Sequence, residues 1–451
     1  MKFISRASAP DEDRWQVYNK IAFKILPLIL VAYTIANIDR MNVAFAKLQM
    51  GADLGLSDAM YGFGAGIFFI GYCAFEIPSN MILHKVGARL WLARIMIVWG
   101  MLSAATMFVQ TPEQFYVLRF LLGIAEAGFY PGALLYITYW FPPFARGQAT
   151  SIMLLGTSFA GLFGGPIAGS IMAGLDGILD WRGWQWLFLL EGIPAVVIGV
   201  IVWLVLRNGP RDVDWLDERE KALVTGDLEA AAAAQPDRHF HKFGDSFRNV
   251  NIWCLVGANF CNLCTLYGIQ FWSPTIIQEV SGTGVFGTGM ISAALAVLPM
   301  ATLILYARHS DRTGERRWHA VTGFMISMTG LIICGTASEN PYFVLVGLVI
   351  AQCGVAAAAI SIFSLPATFV LGAAAATAFA LITTLGNLAG YASPYFIGVL
   401  LEGTGSFSIP FFGLAALAVL GALIILITPA LRRRTANEKP MDEPLTEPVG
   451  P

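Results

Sequence analysis

Two charged pairs lie inside oily stretches of this 451-residue chain. Asp39 and Arg40 are neighbours in YTIANIDRMNVAFA, and Arg119 and Glu126 stand seven apart in RFLLGIAEAGFYPG. A charge near the middle of a bilayer costs at least about 2.5–3.5 kcal/mol on insertion scales, so such residues usually face one another or an aqueous path. Carboxyls in that setting can hold protons, and guanidiniums can take a carboxylate through two parallel hydrogen bonds. The chemistry implied is proton exchange beside an organic anion. The competing reading is that Arg119 snorkels to one surface and Asp39 sits among headgroups. That reading explains one residue at a time and strains to cover all four. Glu76, in GIFFIGYCAFEIPSN, is a fifth charge, expected nearer the cytoplasmic face.

Helix geometry constrains the pairing. A helix turns about 100° and rises about 1.5 Å per residue, so Arg119 and Glu126 share a face about 10.5 Å apart. Tyr33, Asn37 and Arg40 share one side of the first segment, while Asp39 shares another with Asn42. Adjacent residues do not face each other. Asp39 and Arg40 must therefore find partners on other helices, and the fourth segment offers both signs. When all four are ionised the charges balance. Protonating Asp39 and Glu126 leaves two guanidiniums without counterions, ready for an incoming carboxylate. Desolvation favours a neutral acid and a nearby guanidinium favours an ionised one, so proton and substrate occupancy depend on each other. A solvent-filled vestibule shared by the four is the expectation.

The elements that carry these residues are membrane spans. The chain is 56% hydrophobic and 13% charged, against about 25% charged in soluble domains. A span needs about 20 apolar residues, and twelve such stretches can be marked. They are Ile21–Ala46, Met60–Pro78, Leu90–Val109, Phe115–Trp140, Thr150–Met172 and Trp186–Leu206, then Ile252–Pro274, Thr288–Tyr306, Ala320–Cys334, Phe343–Leu365, Thr377–Leu400 and Phe411–Ile427. The fold class expected is an all-α membrane protein with two six-helix bundles, 1–206 and 250–431, a linker at 207–249 and a tail at 432–451. The polar lead from Met1 to Lys20 contains Asp11, Glu12 and Asp13, and no small-residue cleavage site follows, so the first oily run is read as retained.

Lys and Arg cluster at one end of the spans (Lys20, Lys24, Lys85, Arg89, Arg146, Arg308, Arg312, Arg316, Arg317 and Arg432 to Arg434), and acids at the other (Asp53, Asp58, Glu113, Asp176, Asp180, Glu279, Glu339 and Glu402). The positive-inside rule then places both termini in the cytoplasm, and the inner (plasma) membrane is the expected location. A net charge of −2 with no basic strip excludes a nucleic-acid partner. The six cysteines, a CxxC at Cys261 and Cys264 included, fall in apolar runs and suit packing. His239 and His241 suit a solvated linker, with no cluster of further ligands for a metal. No cofactor is expected, and a monomer is.

An internal repeat supports the halves. HKVGARLW from His84 and DRTGERRW from Asp311 share Gly87 with Gly314, Arg89 with Arg316 and Trp91 with Trp318. Duplicated six-helix halves are a recurring plan of secondary transporters.

RFLLGIAEAGFYPG, YWFPPFARG (Tyr139–Gly147) and GWQWLFLLEGIPA (Gly183–Ala195) resemble the anion:cation symporters of the major facilitator superfamily. IDRMNVAFA and GIFFIGYCAFEIPSN agree. Within that family the wording is closest to bacterial permeases for tartrate, phthalate and hydroxyphenylacetate. The resemblance implies a rocker-switch importer of organic acids with protons. It implies Asp39 and Glu126 as protonation sites, Arg40 as the carboxylate contact with Arg119 in the same network, and Tyr72 and Asn387 as cavity positions. Asn37 is a further candidate contact on the face of Arg40. Thr157, Gln270 and Ser364 are candidates by polar placement on spans five, seven and ten, and fit interhelical hydrogen bonding equally. Arg89, Asp311, Arg312 and Arg316 make the gating loops. His84 and Ala145 depart from the acids usual at their positions, which puts a first-half gating network in doubt.

Phe68, Phe69 and Tyr72, with Tyr267, Phe271 and Trp272, fit either helix packing or a cavity for a ring-bearing acid. GLFGGPIAG (Gly161–Gly169) fits GxxxGPxxG, a pattern associated with proton-driven exporters, and its physical content is close helix packing. An enzyme is not expected, because no HExxH or GxSxG occurs and the five histidines lie in connections. A nutrient receptor would need a larger signalling segment.

Overall fold

The computed structural model describes residues 3–6, 9–233, 249–366 and 373–429. His239, His241 and the tail from Arg432 lie outside the described residues, and at Asp311 only the backbone is described. Lipid offers backbone groups no hydrogen bonds, so a spanning segment must satisfy them internally, and a helix does. The spans are helical throughout: Glu12–Asp53, Asp58–Val86, Ala88–Ala105, Pro112–Glu126 with Phe129–Thr138, Pro143–Leu175 and Gly183–Val205, then Val250–Ser281, Val285–Thr313, Arg317–Thr336, Pro341–Ser364, Ala373–Asn387 with Ala389–Thr404, and Ser408–Ile427.

Three details differ from the expected spans. The first helix starts at Glu12, so the later part of the polar lead, from Glu12 to Lys20, is helical. Asp11 caps it by accepting from the Arg14 amide at 2.8 Å. The fourth and eleventh spans are each broken in two. Eleven helical stretches are long and apolar enough to cross a bilayer, and the divided eleventh makes the twelfth crossing.

Only part of 207–249 behaves as a connector. Glu218–Ala233 is a helix docked on the first half. Asp227 accepts from Arg14 at 2.8 Å and from the Tyr18 hydroxyl at 3.2 Å. Trp215 stacks on Trp140 with ring centres 5.8 Å apart, and Leu216 and Val224 are buried.

The loops 54–57, 109–111, 176–182, 282–284, 337–340 and 405–407 mark the acid-rich end, and there the halves are closed. Backbones of the second and eleventh spans meet where Gly62 touches Pro394 and Gly66 touches Tyr391. In the fifth and eighth, a Cβ on Gly165 would stand 2.6 Å from the Gly289 carbonyl, so the GxxxGPxxG stretch is an interface between halves. Tyr61 donates to the Phe271 carbonyl at 2.8 Å, and Ser57 donates to Glu402 at 2.8 Å. Lys47 pairs with Asp58 at 2.8 Å and lies 3.9 Å from the centre of the Trp272 ring. Among the described residues, the hydrogen bonds, ion pairs and ring contacts joining the halves stop at the level of Glu76, which accepts from Thr384 at 2.7 Å.

Candidate functional site

The charged residues of the first and fourth spans meet inside the first half. Asp39, Arg119 and Glu126 are each 1% exposed. Arg40 forms an ion pair with Glu126, and its side chain keeps 24% exposure. Asp39 turns the other way, accepting from Ser103 of the third span and from Asn42 at 3.2 Å. The 100° divergence of the two neighbours is thus used, but the partner of Asp39 is a hydroxyl on the third span. Arg119 donates to the Ala65 carbonyl at 3.3 Å and lies in electrostatic reach of Asp39 and Glu126. The expected open vestibule is instead a sealed cluster in which Arg40 has the reachable surface.

Glu126 owes its position to the break in the fourth span. The helix ends at Glu126, Ala127 is extended and Gly128 adopts φ 88°, which disfavours any side chain. Ser79 fills the space a Cβ at Gly128 would need. Its hydroxyl donates to the freed Ala127 carbonyl at 2.6 Å and accepts from the Trp91 indole at 3.0 Å. Irregular backbone at this depth is tolerated because protein groups satisfy it.

Phe68 lies between the guanidiniums, 5.5 Å from Arg40 and 5.0 Å from Arg119, attracting both through its ring face. Tyr72 stacks on Phe68 at 6.0 Å and also flanks Arg40 at 5.5 Å. Phe69 crosses to the other half and meets Tyr267 at 4.5 Å, and Tyr267 donates to Asn387 at 3.2 Å. Asn387 closes the first piece of the eleventh span, beside its break. The aromatic group thus divides: Phe68 and Tyr72 flank the cations, while Phe69, Phe271 and Trp272 line the contact between halves.

Hydrogen-bond accounting exposes two opposite deficits. Arg40 Nε and Arg119 Nε and Nη1 are buried donors with no acceptor. Asp39 Oδ2, Asn42 Oδ1 and both Glu191 oxygens are buried acceptors with no donor. Buried polar groups are nearly always satisfied, so each deficit is a place for a ligand, a proton or a water.

Other candidates fall outside the cluster. Asn37 donates to the Tyr33 carbonyl at 2.7 Å within its own helix. Thr157 is exposed and Gln270 half-buried. Ser364 ends the tenth helix, where its carbonyl accepts from Arg316 at 2.7 Å, so it sits with the loop residues and not with Arg40. Arg89 likewise donates to the Trp203 carbonyl at 2.8 Å, Arg312 is exposed, and Asp311 lies in the last turn of its helix. Arg89 and Arg316, with Arg317 donating to the Leu426 carbonyl at 2.6 Å, thus cap neighbouring helices near their C-termini, where carbonyls lack partners.

The residue that sequence reasoning missed is Glu191. It was quoted in GWQWLFLLEGIPA for the wording, but its charge in an otherwise apolar span was the available signal. It is 6% exposed, approaches Asn42 and lies in electrostatic reach of Asp39. Lys47 and Ser103 were passed over as well.

Similarity to known proteins agrees with this architecture. "Putative metabolite transport protein NicT" of Pseudomonas putida is 42% identical over 414 residues, spanning 92% of this chain and 94% of that protein. A "Putative tartrate transporter" of Agrobacterium vitis is 39% identical, covering 94% of each chain. A "Quinolone resistance transporter" of Acinetobacter baumannii is 36% identical, covering 95% of this chain and 99% of its own. The family profile described as Major Facilitator Superfamily matches residues 29–394. With this match and twelve helical crossings, the chain belongs to the Major Facilitator Superfamily and is a multi-pass membrane transporter rather than an enzyme.

Proposed function

We propose that this protein imports a small organic acid anion together with protons, the substrate being tartrate-, phthalate- or hydroxyphenylacetate-like. The halves 1–206 and 250–431 rock about the cluster, with both termini and the linker on the cytoplasmic side of the inner membrane. The observation that carries the reading is the donor deficit: Arg40 Nε and Arg119 Nε and Nη1 lack acceptors, and Arg40 is the cluster member with reachable surface. A carboxylate supplies the missing acceptors and matches the planar fork of a guanidinium.

Protons set the order of events. With Glu126 ionised, its carboxylate occupies one side of Arg40. A proton on Glu126 cancels that pairing and frees the guanidinium for substrate. A proton on Asp39 removes the negative charge facing Arg119. Tyr72 beside Arg40, and Tyr267 with Asn387 on the opposite half, are placed to contact the rest of the anion. Closure at the acid-rich end with contacts ending at Glu76 and Thr384 supports a state closed to the outside. The basic loops would support the orientation, and a chain working as a monomer needs no second copy for this scheme.

A thermal-shift screen of small carboxylates on the purified protein, at two pH values, tests the reading. Stabilisation by one acid class that depends on pH is expected, and loss of that shift in Arg40→Ala. Stabilisation by neutral or cationic drugs alone would overturn it. The rival is a proton-driven exporter, favoured by the GxxxGPxxG seam and by the quinolone resistance relative. Counterflow in everted against right-side-out vesicles separates the two directions.

A further inference from the structure

The acceptor deficit lies on the far side of the cluster from Arg40 and is not used by anion binding. Four buried acceptor atoms, on Asp39, Asn42 and Glu191, lack donors. The donors present are already spent: the Ser103 hydroxyl and the Asn42 amide both go to the same Asp39 oxygen. Turning the Asn42 amide over would exchange one unmet acceptor for another. Hydrogen added to a carboxyl would supply a donor at this place. A carboxylic acid carries one O–H donor that its ionised form lacks.

The surroundings place that proton. Arg119 faces Asp39 from the fourth span, with Glu126 and Arg40 behind it. Glu191, on the sixth span, is flanked by Asn42 and Asp39 of the first. Its helix also packs tightly on the third span, where Gly192 abuts Gly100 and Ala104. An ionised Glu191 would be a second buried anion beside Asp39, with no ion pair among the described residues and with the Asn42 side chain as its polar neighbour. Arg119 offsets the charge of Asp39 but no described cation offsets that of Glu191, so ionising both carboxyls leaves one buried negative charge without a counterion.

We propose that Glu191 is a third proton-carrying carboxyl, paired with Asp39 through Asn42, so that the two hold at least one proton on the side of the cluster away from Arg40. Its use in transport rests on the proton-coupled reading above, whereas the shared proton itself does not. The pair separates the site where protons are stored from the site where anion binds. A proton can then wait at Glu191 while Asp39 returns to its ionised form opposite Arg119.

Infrared titration of the purified full-length protein in lipid tests this without any substrate. The wild type should show a buried carboxylic-acid C=O band at neutral pH that vanishes in Glu191→Gln. In Asp39→Asn the Glu191 band should remain but titrate at a different pH, because its partner charge is gone. Asn42→Leu removes the bridge without touching a carboxyl and should also move the titration. It serves as the decisive variant if Glu191→Gln fails to fold. Persistence of the wild-type band in Glu191→Gln would overturn the assignment, and so would a Glu191 band that titrates identically in the wild type, Asp39→Asn and Asn42→Leu. Should the bands behave as expected while uptake of tartrate into proteoliposomes ignores a pH gradient, the transport reading fails and the shared proton stands.

Discussion

The two sides of the charged cluster are opposites in what they lack. Toward Arg40 and Arg119 there are more buried donors than acceptors, and toward Asp39, Asn42 and Glu191 more acceptors than donors. A place short of acceptors thus lies within electrostatic reach of a place short of donors. The difference teaches that coupling can be written in hydrogen-bond arithmetic. Filling the first deficit with a carboxylate changes the charge felt across Arg119 by the second.

Substitutions on each side should separate the two. The largest effect is expected for Arg40→Ala, which removes the reachable cation and strands Glu126. Breaking a buried pair costs about 3–5 kcal/mol, about a hundredfold to a few thousandfold in an equilibrium. Anion binding by scintillation proximity should fall by at least that much, and retained affinity would erase the assignment of the donor-rich side. Next is Asp39→Asn on the acceptor-rich side. Accumulation driven by a pH gradient in proteoliposomes should be lost while substrate exchange continues. Equal loss of both would make the two sides one.

Phe68→Leu should act on the boundary. It removes an aromatic face from both guanidiniums, worth about 1 kcal/mol, and about a fivefold weaker affinity is expected with the pH dependence of binding kept. A changed pH dependence would show that Phe68 belongs to the proton side. The smallest effect is expected at Lys47→Met, outside the comparison. Its pair with Asp58 is partly exposed, with side-chain exposures of 11% and 35%, and such pairs contribute about 0.2–1 kcal/mol. Cysteine labelling at the acid-rich end should rise less than about fivefold, with anion affinity unchanged.

Much of this was readable from residue types. The spans follow from hydropathy, and Asp39, Arg40, Arg119 and Glu126 stood out because charge in lipid is costly. The face on which each neighbour lies followed from helix rotation. What the chain did not reveal was set by contacts between distant segments. Nothing local to Asp39 announces Ser103, sixty-four residues on. The break after Glu126 depends on Ser79 receiving a freed carbonyl, although Gly128 could have hinted at it. Glu191 was visible as a charge and went unweighed because it lacked a paired neighbour in sequence. Ser364 looked like a polar residue within a span, but its helix ends there, and hydropathy locates ends poorly.

The glycine seam at the acid-rich end has a mechanical consequence. Where Gly62 meets Pro394 and Gly165 meets Gly289, the surfaces in contact are peptide backbones whose polar groups are already bonded inside their own helices. Parting them forfeits many small dispersion contacts and few directional bonds, so this end can open without leaving amides bare. A single methyl at Gly165 or Gly289 should act as a doorstop, holding the acid-rich end ajar.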